Sequence, residues 1–421
     1  MKKLIALTAC LCLLLCLFAG CGQSEVVPYE DEPETEAAVE DADTATDAAE
    51  SAEETAEEPV EATEAPVSIG QGGTGYETYP ADTVVATVNG TDVTWMEYFY
   101  WLNYYTSYIR QIAAQYDFVI TDWDGYDLSA DNTNADVVLM NAKQNIIQDH
   151  VIRFAADEMG VTLSDEDYAE LEDVLAQNAD SYVGDGDGEA TEEELAAFDD
   201  YLQEQMHVDT EFFNNFNLVS LLSEAEFEAA SGEMGENYPD EDVLAFAEDN
   251  GLMAAKHILL MTVDPDTLES LSDEEIAEKK ALAEDLLARL QAVADDQDAL
   301  IALFDELMME YSEDTGVAYY PDGYVFAEGE MVEEFENAVK ELEGDYAMSD
   351  IVESTYGYHI ILRLPVNPDA SIGTDANGND VSLRYAAATQ QFSATLTQWI
   401  DEAEVVWNDG FEYPDLAAIF G

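Results

Sequence analysis

Two of the chain's four histidines lie in short apolar segments, where a titratable ring stands out. His257 is followed by Ile-Leu-Leu and His359 by Ile-Ile-Leu, and both segments have the composition of buried strands. Asp314 lies between them in the chain, directly after a Tyr-Ser-Glu sequence. A histidine in an apolar strand is more often a hydrogen-bonded core residue than a catalyst. The three residues therefore define a candidate site only if other features of the sequence support it.

Met331 and Phe335 form a second candidate feature. They lie four residues apart in a segment with a helical pattern, which predicts that both side chains occupy one face of a helix. A Met and a Phe at this spacing are usually part of a core, but they can also line an apolar pocket. The surrounding elements must decide between these two interpretations.

The elements around these residues predict a small α+β domain over residues 253–366. Ser272 and Glu275 have the spacing of a capping box, and the Ala and Leu residues that follow recur at helical spacing to about Ala292. A second helix is predicted over about 298–309. The predicted order is strand, helix, helix, strand, helix, strand, strand.

Four short motifs in this region occur together in the order and at the spacing of one known family. They are His-Ile-Leu-Leu from His257, Tyr-Ser-x-Asp ending at Asp314, Gly-x-Met-x-x-x-Phe-Glu-x-Ala from Gly329, and Gly-Tyr-His-Ile-Ile from Gly357. Over about 110 residues the region resembles the parvulin family of peptidyl-prolyl isomerases. Each motif alone is weak, but four in register form a specific pattern.

The reaction that this resemblance implies depends on binding alone. An X–Pro bond isomerises unaided in tens of seconds, over a barrier of about 20 kcal/mol that reflects amide resonance. No bond is broken, so the enzyme needs no metal and no cofactor; it must bind the twisted amide more tightly than the planar one. The resemblance implies catalytic roles for His257, Asp314 and His359, and substrate-binding roles for Met331 and Phe335. We interpret the histidine network as shaping the site more than transferring protons.

Two stretches depart from the family pattern. The loop at residues 261–266 contains no Lys or Arg, whereas phosphate-directed parvulins carry basic residues there. Because its carboxylates would repel a phosphate, we do not expect recognition of phosphoserine-proline or phosphothreonine-proline. Residues 319–323 lack the usual Gly-Gly-Asp-Leu, and Gly323 falls where parvulins often place an apolar pocket residue.

The first 21 residues have the features of a bacterial export signal. Lys2 and Lys3 give a basic start, Leu4 to Phe18 is an apolar run too short for a comfortable membrane span, and Ala-Gly precedes Cys21. This ending resembles a lipobox, which implies a lipid on Cys21 and anchoring in the cell membrane on its extracytoplasmic face. An ordinary cleaved signal or an uncleaved anchor is the alternative. The other three cysteines lie within the signal, so neither a disulfide nor a cysteine metal site is expected.

Residues 22–82 have the composition of a disordered acidic linker. Seventeen acidic residues and no basic one lie between Glu25 and Glu64. Such a segment cannot bury enough apolar surface to offset its ordering entropy, and its like charges extend it. The whole chain of 421 residues carries 95 Asp and Glu against 12 Lys and Arg, a formal charge of −83. Without a basic cluster, nucleic acid is not expected as a partner.

Residues 83–252 predict a mostly helical domain. A strand at 84–88 is followed by an Asn-Gly turn and by Thr94 and Glu97, whose spacing is that of a capping box before a long aromatic helix. This start resembles the N-terminal module of SurA-like and PrsA-like chaperones. Further helical patterns cover much of the region to about Asp249.

The C-terminal residues 367–421 predict a loop as far as Val381 and then a helix over about 382–403. In SurA-like and PrsA-like proteins such a helix packs back on the N-terminal part. The predicted fold class is therefore α+β: a mostly helical SurA/PrsA-like chaperone domain with an inserted small parvulin-type domain.

Two acidic loops, at residues 122–125 and 185–189, look like the start of calcium loops. The second has Ala190 where the sharp turn needs Gly and Ala196 where a bidentate Glu belongs. We interpret both as solvated acidic turns.

The whole chain resembles a PrsA-type foldase lipoprotein. The leading hypothesis is a membrane-anchored foldase that binds unfolded or partly folded exported polypeptides and isomerises their X–Pro bonds. The alternative is a non-enzymatic holdase that keeps its parvulin domain as a binding module. A solute-binding lipoprotein is a third hypothesis, disfavoured because repeated parallel-strand units are not evident. The sequence leaves open whether the protein is a monomer or a homodimer.

Overall fold

The structure, a computed structural model, describes residues 75–184, 186, 190–375 and 378–421. The predicted signal segment, the lipidation site Cys21, most of the linker and most of the acidic loop at 185–189 lie outside the described residues. In the described part of the chain, no helix is long and apolar enough to cross a membrane.

The helices closely follow the sequence prediction. They are α1 Trp95–Gln115, α2 Asn134–Met159, α3 Asp165–Val183, α4 Glu192–Met206, α5 Thr210–Ser231, α6 Asp240–Asp249, α7 Asp273–Gln291, α8 Gln297–Tyr311, α9 Glu333–Glu341, α10 Leu383–Glu402 and α11 Leu416–Phe420. The strands are β1 Val84–Val88, β2 Thr91–Thr94, β3 Met253–Met261, β4 Tyr324–Phe326, β5 Val352–Glu353, β6 Gly357–Leu364, β7 Ser371–Thr374, β8 Asp380–Ser382 and β9 Val405–Trp407. Short 3₁₀ helices occur at Tyr76–Thr78 and Thr315–Ala318.

The described residues divide into two compact units, of which the smaller contains 75–78, 102–138 and 415–421. In this unit the Arg110 guanidinium donates to the carbonyls of Phe420 and Gly421, at 3.2 and 3.1 Å. The same guanidinium lies 5.3 Å from the centre of the Trp123 ring. Arg110 therefore ties the C-terminal helix α11 to the middle of α1.

The acidic loop around Asp122 is closed by its own hydrogen bonds. The side-chain amide of Asn134 donates to the Asp122 carbonyl and to the Asp127 carboxylate, each at 2.9 Å. The backbone N–H of Asp124 donates to the Asp122 carboxylate at 3.1 Å. Asn134 is fully buried, and these two bonds give its side-chain NH₂ group partners that replace water.

The larger unit contains residues 79–101 and 139–414, apart from the few that the structure does not describe. Its first sheet has the order β2-β1-β9 and joins the two ends of the unit, since Ala86 pairs with Trp407. The helices α3, α4 and α5 enclose a small core around Phe198 and Leu202. Capping boxes with Ser164 and Thr191 begin α3 and α4.

Residues 75–82 differ from the linker prediction. Tyr79 packs its ring against Trp95 and Phe411, with centroid distances of 5.2 and 4.8 Å. The backbone N–H groups of Trp95 and Met96 donate to the carbonyls of Thr83 and Ala81. The aromatic contact, which composition does not reveal, extends the folded part of the chain upstream of residue 83.

The C-terminal helix α10 packs against α6 in the same unit. Leu383 and Ala387 of α10 form a buried cluster with Val243 and Ala247 of α6. This packing joins the C-terminal segment to the helical residues before β3.

The buried Arg384 fixes the start of α10 to its surroundings. Its guanidinium donates to the carboxylates of Asp369 and Asp240 at 2.6 and 2.5 Å, and also to the carbonyl of Tyr238. One side chain thus connects α10, the start of α6 and the segment that follows β6.

The second sheet is antiparallel with the order β4-β3-β6-β5. One face is covered by α7 and α8, whose Leu286 and Phe304 are fully buried. The other face carries Ala255 and Ile361 and packs against α9. The two ends of this segment lie together, because Ala254 near the start of β3 pairs with Leu364 at the end of β6.

The segment after β6 is not the loop that the sequence predicts. The strands β7 and β8 form a two-stranded hairpin in which Gly373 pairs with Val381. The four residues of β7, Ser-Ile-Gly-Thr, are too few for an alternation of apolar and polar side chains to predict a strand.

Candidate functional site

Strand register brings the two predicted histidines together. His257 on β3 pairs with Ile361, and His359 on β6 pairs with Leu259. Paired residues and residues two apart on a strand share one face of a sheet, so both rings lie on the face that α9 covers. The rings are nearly parallel, with centroids 5.2 Å apart and an interplanar angle of 16°.

A continuous chain of hydrogen bonds joins the histidines to Asp314. The Nδ1 atoms of His257 and His359 are 3.0 Å apart, and His257 Nε2 lies 2.8 Å from Asp314 Oδ2. At the other end, His359 Nε2 lies 2.7 Å from Ser354 Oγ. The predicted catalytic residues are therefore adjacent in the fold, although the two histidines are 102 positions apart in the chain.

When both histidines are neutral, the carboxylate at one end of this network determines which atom donates in each of its hydrogen bonds. Ionised Asp314 can only accept, so His257 must donate from Nε2 and accept at Nδ1. His359 then donates from Nδ1 and accepts at Nε2 from the Ser354 hydroxyl. This assignment of the ring protons follows from the hydrogen-bond pattern.

Asp314 is placed where its ionised form is stabilised. It caps the 3₁₀ helix at Thr315–Ala318, and its Oδ1 accepts from the Gly316 N–H at 2.9 Å. Burial alone would raise the pKa of Asp314, but hydrogen bonds from His257, Tyr324 and Gly316 outweigh it and hold that pKa well below its usual range.

His359 is kept neutral by its surroundings. The residue is only 3% exposed. Burial is the main cause that lowers the pKa of His359 to about 3, and repulsion from His257 lowers it further, while Asp314 opposes the shift. The network therefore combines an ionised carboxylate with an uncharged imidazole at physiological pH.

Phe335 forms an apolar floor beneath the histidines. Its ring meets that of His257 edge to face, with centroids 5.1 Å apart, and that of His359 at 5.9 Å. Phe335 is 2% exposed and belongs to a core cluster with Phe326 and Ile361. Such edge-to-face contacts fix the orientation of the rings as well as contributing apolar burial.

Met331 also packs against this cluster, but it does not lie on the helix that we predict for it. Helix α9 begins at Glu333, and Val332 at its N-cap already has an extended backbone. The buried Glu336 carboxylate accepts from the N–H groups of Gly329 and Met331, at 2.8 and 3.0 Å. This carboxylate holds the chain in a turn, so Met331 and Phe335 share a cluster through the turn and not through helical spacing.

An open groove of about 130 Å³ lies beside Met331. Its walls come from β4, from the turn before α9 and from the β7–β8 hairpin. The lining residues are Tyr320, Tyr324, Val325, Phe326, Glu330, Met331, Ser371 and Ile372. The hairpin contribution is absent from the sequence prediction, because residues 367–381 carry no clear strand pattern.

The backbone conformation and the close neighbours of residue 323 require a glycine there. Its φ is +105°, and a Cβ there would lie 2.6 Å from Leu364 Cδ1 and 2.9 Å from the Ala255 carbonyl oxygen. No side chain can occupy this position without displacing β3, so the apolar residue that parvulins often carry is excluded. The next residue, Tyr324, contributes its side chain to the groove instead.

The remaining histidines lie outside this network. His150 is buried, with its Nε2 at 3.5 Å from the Glu97 carboxylate. His207 caps the end of α4 in a left-handed conformation, and its ring packs on Phe99. Both residues support helix packing, whereas Tyr324 and Ser354 are site residues that sequence reasoning missed.

Residues 243–363 match the family model described as the PPIC-type PPIase domain. The foldase protein PrsA of Halalkalibacterium halodurans is 31% identical over 275 residues, which cover 64% of this chain and 70% of that protein. PrsA of Oceanobacillus iheyensis is 28% identical over 248 residues, covering 58% and 67%. The crystal structure of PrsA from Bacillus cereus is 17% identical and covers 79% of this chain and 97% of that chain, with a TM-score of 0.27.

The sheet with its paired histidines and the matched domain define a peptidyl-prolyl cis–trans isomerase of the parvulin type. The chain belongs to the PrsA foldase family. It is accordingly a foldase for exported proteins with isomerase activity, and the predicted fold class is confirmed.

Proposed function

We propose that the hydrogen-bonded network on the α9 face of the second sheet is the isomerase site. His257, Asp314 and His359 are its catalytic residues, and Met331 and Phe335 hold the proline ring of an X–Pro segment. The observation that carries this proposal is the contact of both imidazole rings with Phe335, next to an open groove that Met331 lines.

The geometry suits catalysis by selective binding. A planar amide is more polar than a twisted one, so an apolar floor that excludes water favours the twisted amide. The ionised Asp314 and the neutral His359 lock His257 in one orientation beside that floor. The site then presents fixed dipoles to the rotating amide and does not have to reorganise during the rotation.

Anchoring in the cell membrane through a lipid on Cys21 is a further part of the proposal. The lipobox-like ending of the signal segment and the acidic spacer behind it support this location on the extracytoplasmic face. Mass spectrometry of the N-terminal peptide of the mature protein tests it, since a diacylated Cys21 has a characteristic added mass.

Sedimentation analysis of the same material distinguishes a monomer from a homodimer.

Substitution of the proposed pocket tests the assignment of the site. Met331→Ala should lower the isomerase kcat/KM about tenfold, because the half-buried side chain lines the groove and lies outside the helix. Phe335→Leu should also lower the rate while keeping most of the buried volume. A protease-coupled proline-peptide assay on the full-length protein in detergent measures both.

Met309→Ala is the matched control, because Met309 is 65% exposed on α8 and contacts nothing in the site. A wild-type rate in folded Met331→Ala would contradict the pocket assignment. Suppressed aggregation of an unfolded client by a wild-type protein without isomerase activity would instead favour the holdase alternative.

A further inference from the structure

Tyr324 makes an unusually direct contact with the network. Its hydroxyl donates to Asp314 Oδ2 at 2.6 Å, the same oxygen that His257 Nε2 approaches at 2.8 Å. The ring of Tyr324 also meets the ring of His257 edge to face at 5.9 Å. One half-buried side chain thus touches both the carboxylate and the imidazole of the proposed site.

The local backbone leaves space for this hydroxyl. A Cβ at Gly316 would lie 2.1 Å from the Tyr324 oxygen, closer than any two such atoms can approach. Gly316 also supplies the N–H that binds the other oxygen of Asp314. The glycine therefore allows two donors to reach one carboxylate from different sides.

Tyr324 is itself part of the groove wall. Its hydroxyl faces Asp314, whereas its ring lines the space beside Met331. Burial raises the pKa of Tyr324, and the hydrogen bond with Asp314 raises it further, so the hydroxyl stays protonated and remains a donor. This places a permanent donor on the carboxylate and an aromatic surface next to the substrate.

We propose that Tyr324 is a positioning residue of the isomerase: it holds the Asp314 carboxylate, and through it the His257 ring, in the orientation that the reaction needs. This inference rests on the proposed function of the site. Two donors on one oxygen and a third on the other leave the carboxylate a single rotamer. Without the tyrosine hydroxyl, Asp314 is free to rotate and His257 loses its fixed partner.

Tyr324→Phe tests this role, because it removes the hydroxyl and keeps the ring. In the full-length protein we expect kcat/KM to fall about tenfold, mainly through kcat, since the substrate surface is preserved. Gly316→Ala should reproduce the effect by displacing the hydroxyl. Tyr319→Phe is the matched control and should stay within about twofold of wild type, because Tyr319 is 81% exposed.

A double-mutant cycle separates positioning from a general structural role. If Tyr324 acts through Asp314, Tyr324→Phe should cause no further loss of rate in the Asp314→Ala background. An equal loss in both backgrounds would overturn the proposal, as would a wild-type rate in Tyr324→Phe.

NMR of the His257 ring provides a readout that does not depend on activity. The ¹⁵N shift of His257 Nε2 should move in Tyr324→Phe and stay unchanged in Tyr319→Phe. An unchanged shift in Tyr324→Phe would overturn the positioning role even if the wild-type protein had no isomerase rate. The failure of the proposed function and the failure of this inference are therefore distinguishable.

Discussion

At the residue scale, the site depends on a pair of histidines whose rings are buried away from water. His359 is buried between the sheet and Phe335, and it has hydrogen-bond partners at both ring nitrogens. A charged imidazole there would lose hydration and repel His257, which is why the neutral ring is favoured. The protonation state and orientation of the His359 ring are thus fixed before a substrate binds.

This environment makes a prediction about pH. Because the pKa of His359 is lowered to about 3 in the folded state and is near 6.5 when unfolded, only the unfolded state takes up the proton between these values. The stabilisation is fully present above about pH 6.5 and is lost as the pH falls toward about 3. The His359 ring should show no NMR titration between pH 5 and 8.

Denaturation of His359→Leu provides the control for this prediction. The free energy of unfolding of the wild type should fall relative to that of the variant as the pH is lowered from 7 to 4, because only the wild type has a histidine at this position that takes up a proton on unfolding. A His359 resonance that titrates near pH 6.5 would contradict the prediction.

Sequence reasoning identified the residues of the network but not all of their contacts. The two histidines stand out because such rings are rare in apolar segments, and Asp314 is identified by its place in the Tyr-Ser-x-Asp motif of the family resemblance. Tyr324 and Ser354 do not stand out, because a hydroxyl becomes part of a site only when the fold brings it to a partner. Met331 lies near Phe335 as expected, but a carboxylate-stabilised turn replaces the predicted helical turn.

At the element scale, helices with capping boxes were the most predictable part of the fold. Ser164, Thr191 and Ser272 each cap a helix with the reciprocal bonds that their spacing predicts. The β7–β8 hairpin and β9 were missed. Short strands acquire their stability from partners elsewhere, so three or four residues carry too little pattern to predict them.

Arg384 allows a test of how the C-terminal helix is held. Arg384→Met should lower the free energy of unfolding by about 1–3 kcal/mol, because it removes the donor of the Tyr238 carbonyl and the partner of two carboxylates. Urea denaturation followed by circular dichroism measures the loss. Lys280→Met on the exposed face of α7 should change it by less than about 0.5 kcal/mol, and similar losses in both variants would argue against the role of Arg384.

At the scale of the whole molecule, the dominant property is a formal charge of −83. A surface this acidic attracts basic polypeptides and repels acidic ones, and salt screens both effects. We therefore expect charge to select among clients without specifying any one of them.

A pair of clients with opposite charge tests this selection. In an aggregation assay the protein should protect reduced lysozyme, which is basic, better than reduced α-lactalbumin, which is acidic. The difference should shrink between about 50 and 500 mM salt, because the Debye length falls from roughly 14 to 4 Å. Equal protection of both clients at low salt would show that apolar contacts alone determine binding.

The pairing of β1 with β9 has a consequence for the order in which the newly made chain folds. The backbone N–H of Glu404 reaches the side chain of Asn89 across 315 positions, and closing a flexible loop of that length costs roughly 5 kcal/mol in chain entropy. The segment from β3 to β6 can fold first and shorten this loop, because its own ends meet at Ala254 and Leu364. A chain that crosses a membrane with its N-terminus leading must wait for β9 with one edge of β1 unpaired. We therefore expect this sheet to remain incomplete until β9 has emerged and paired with β1.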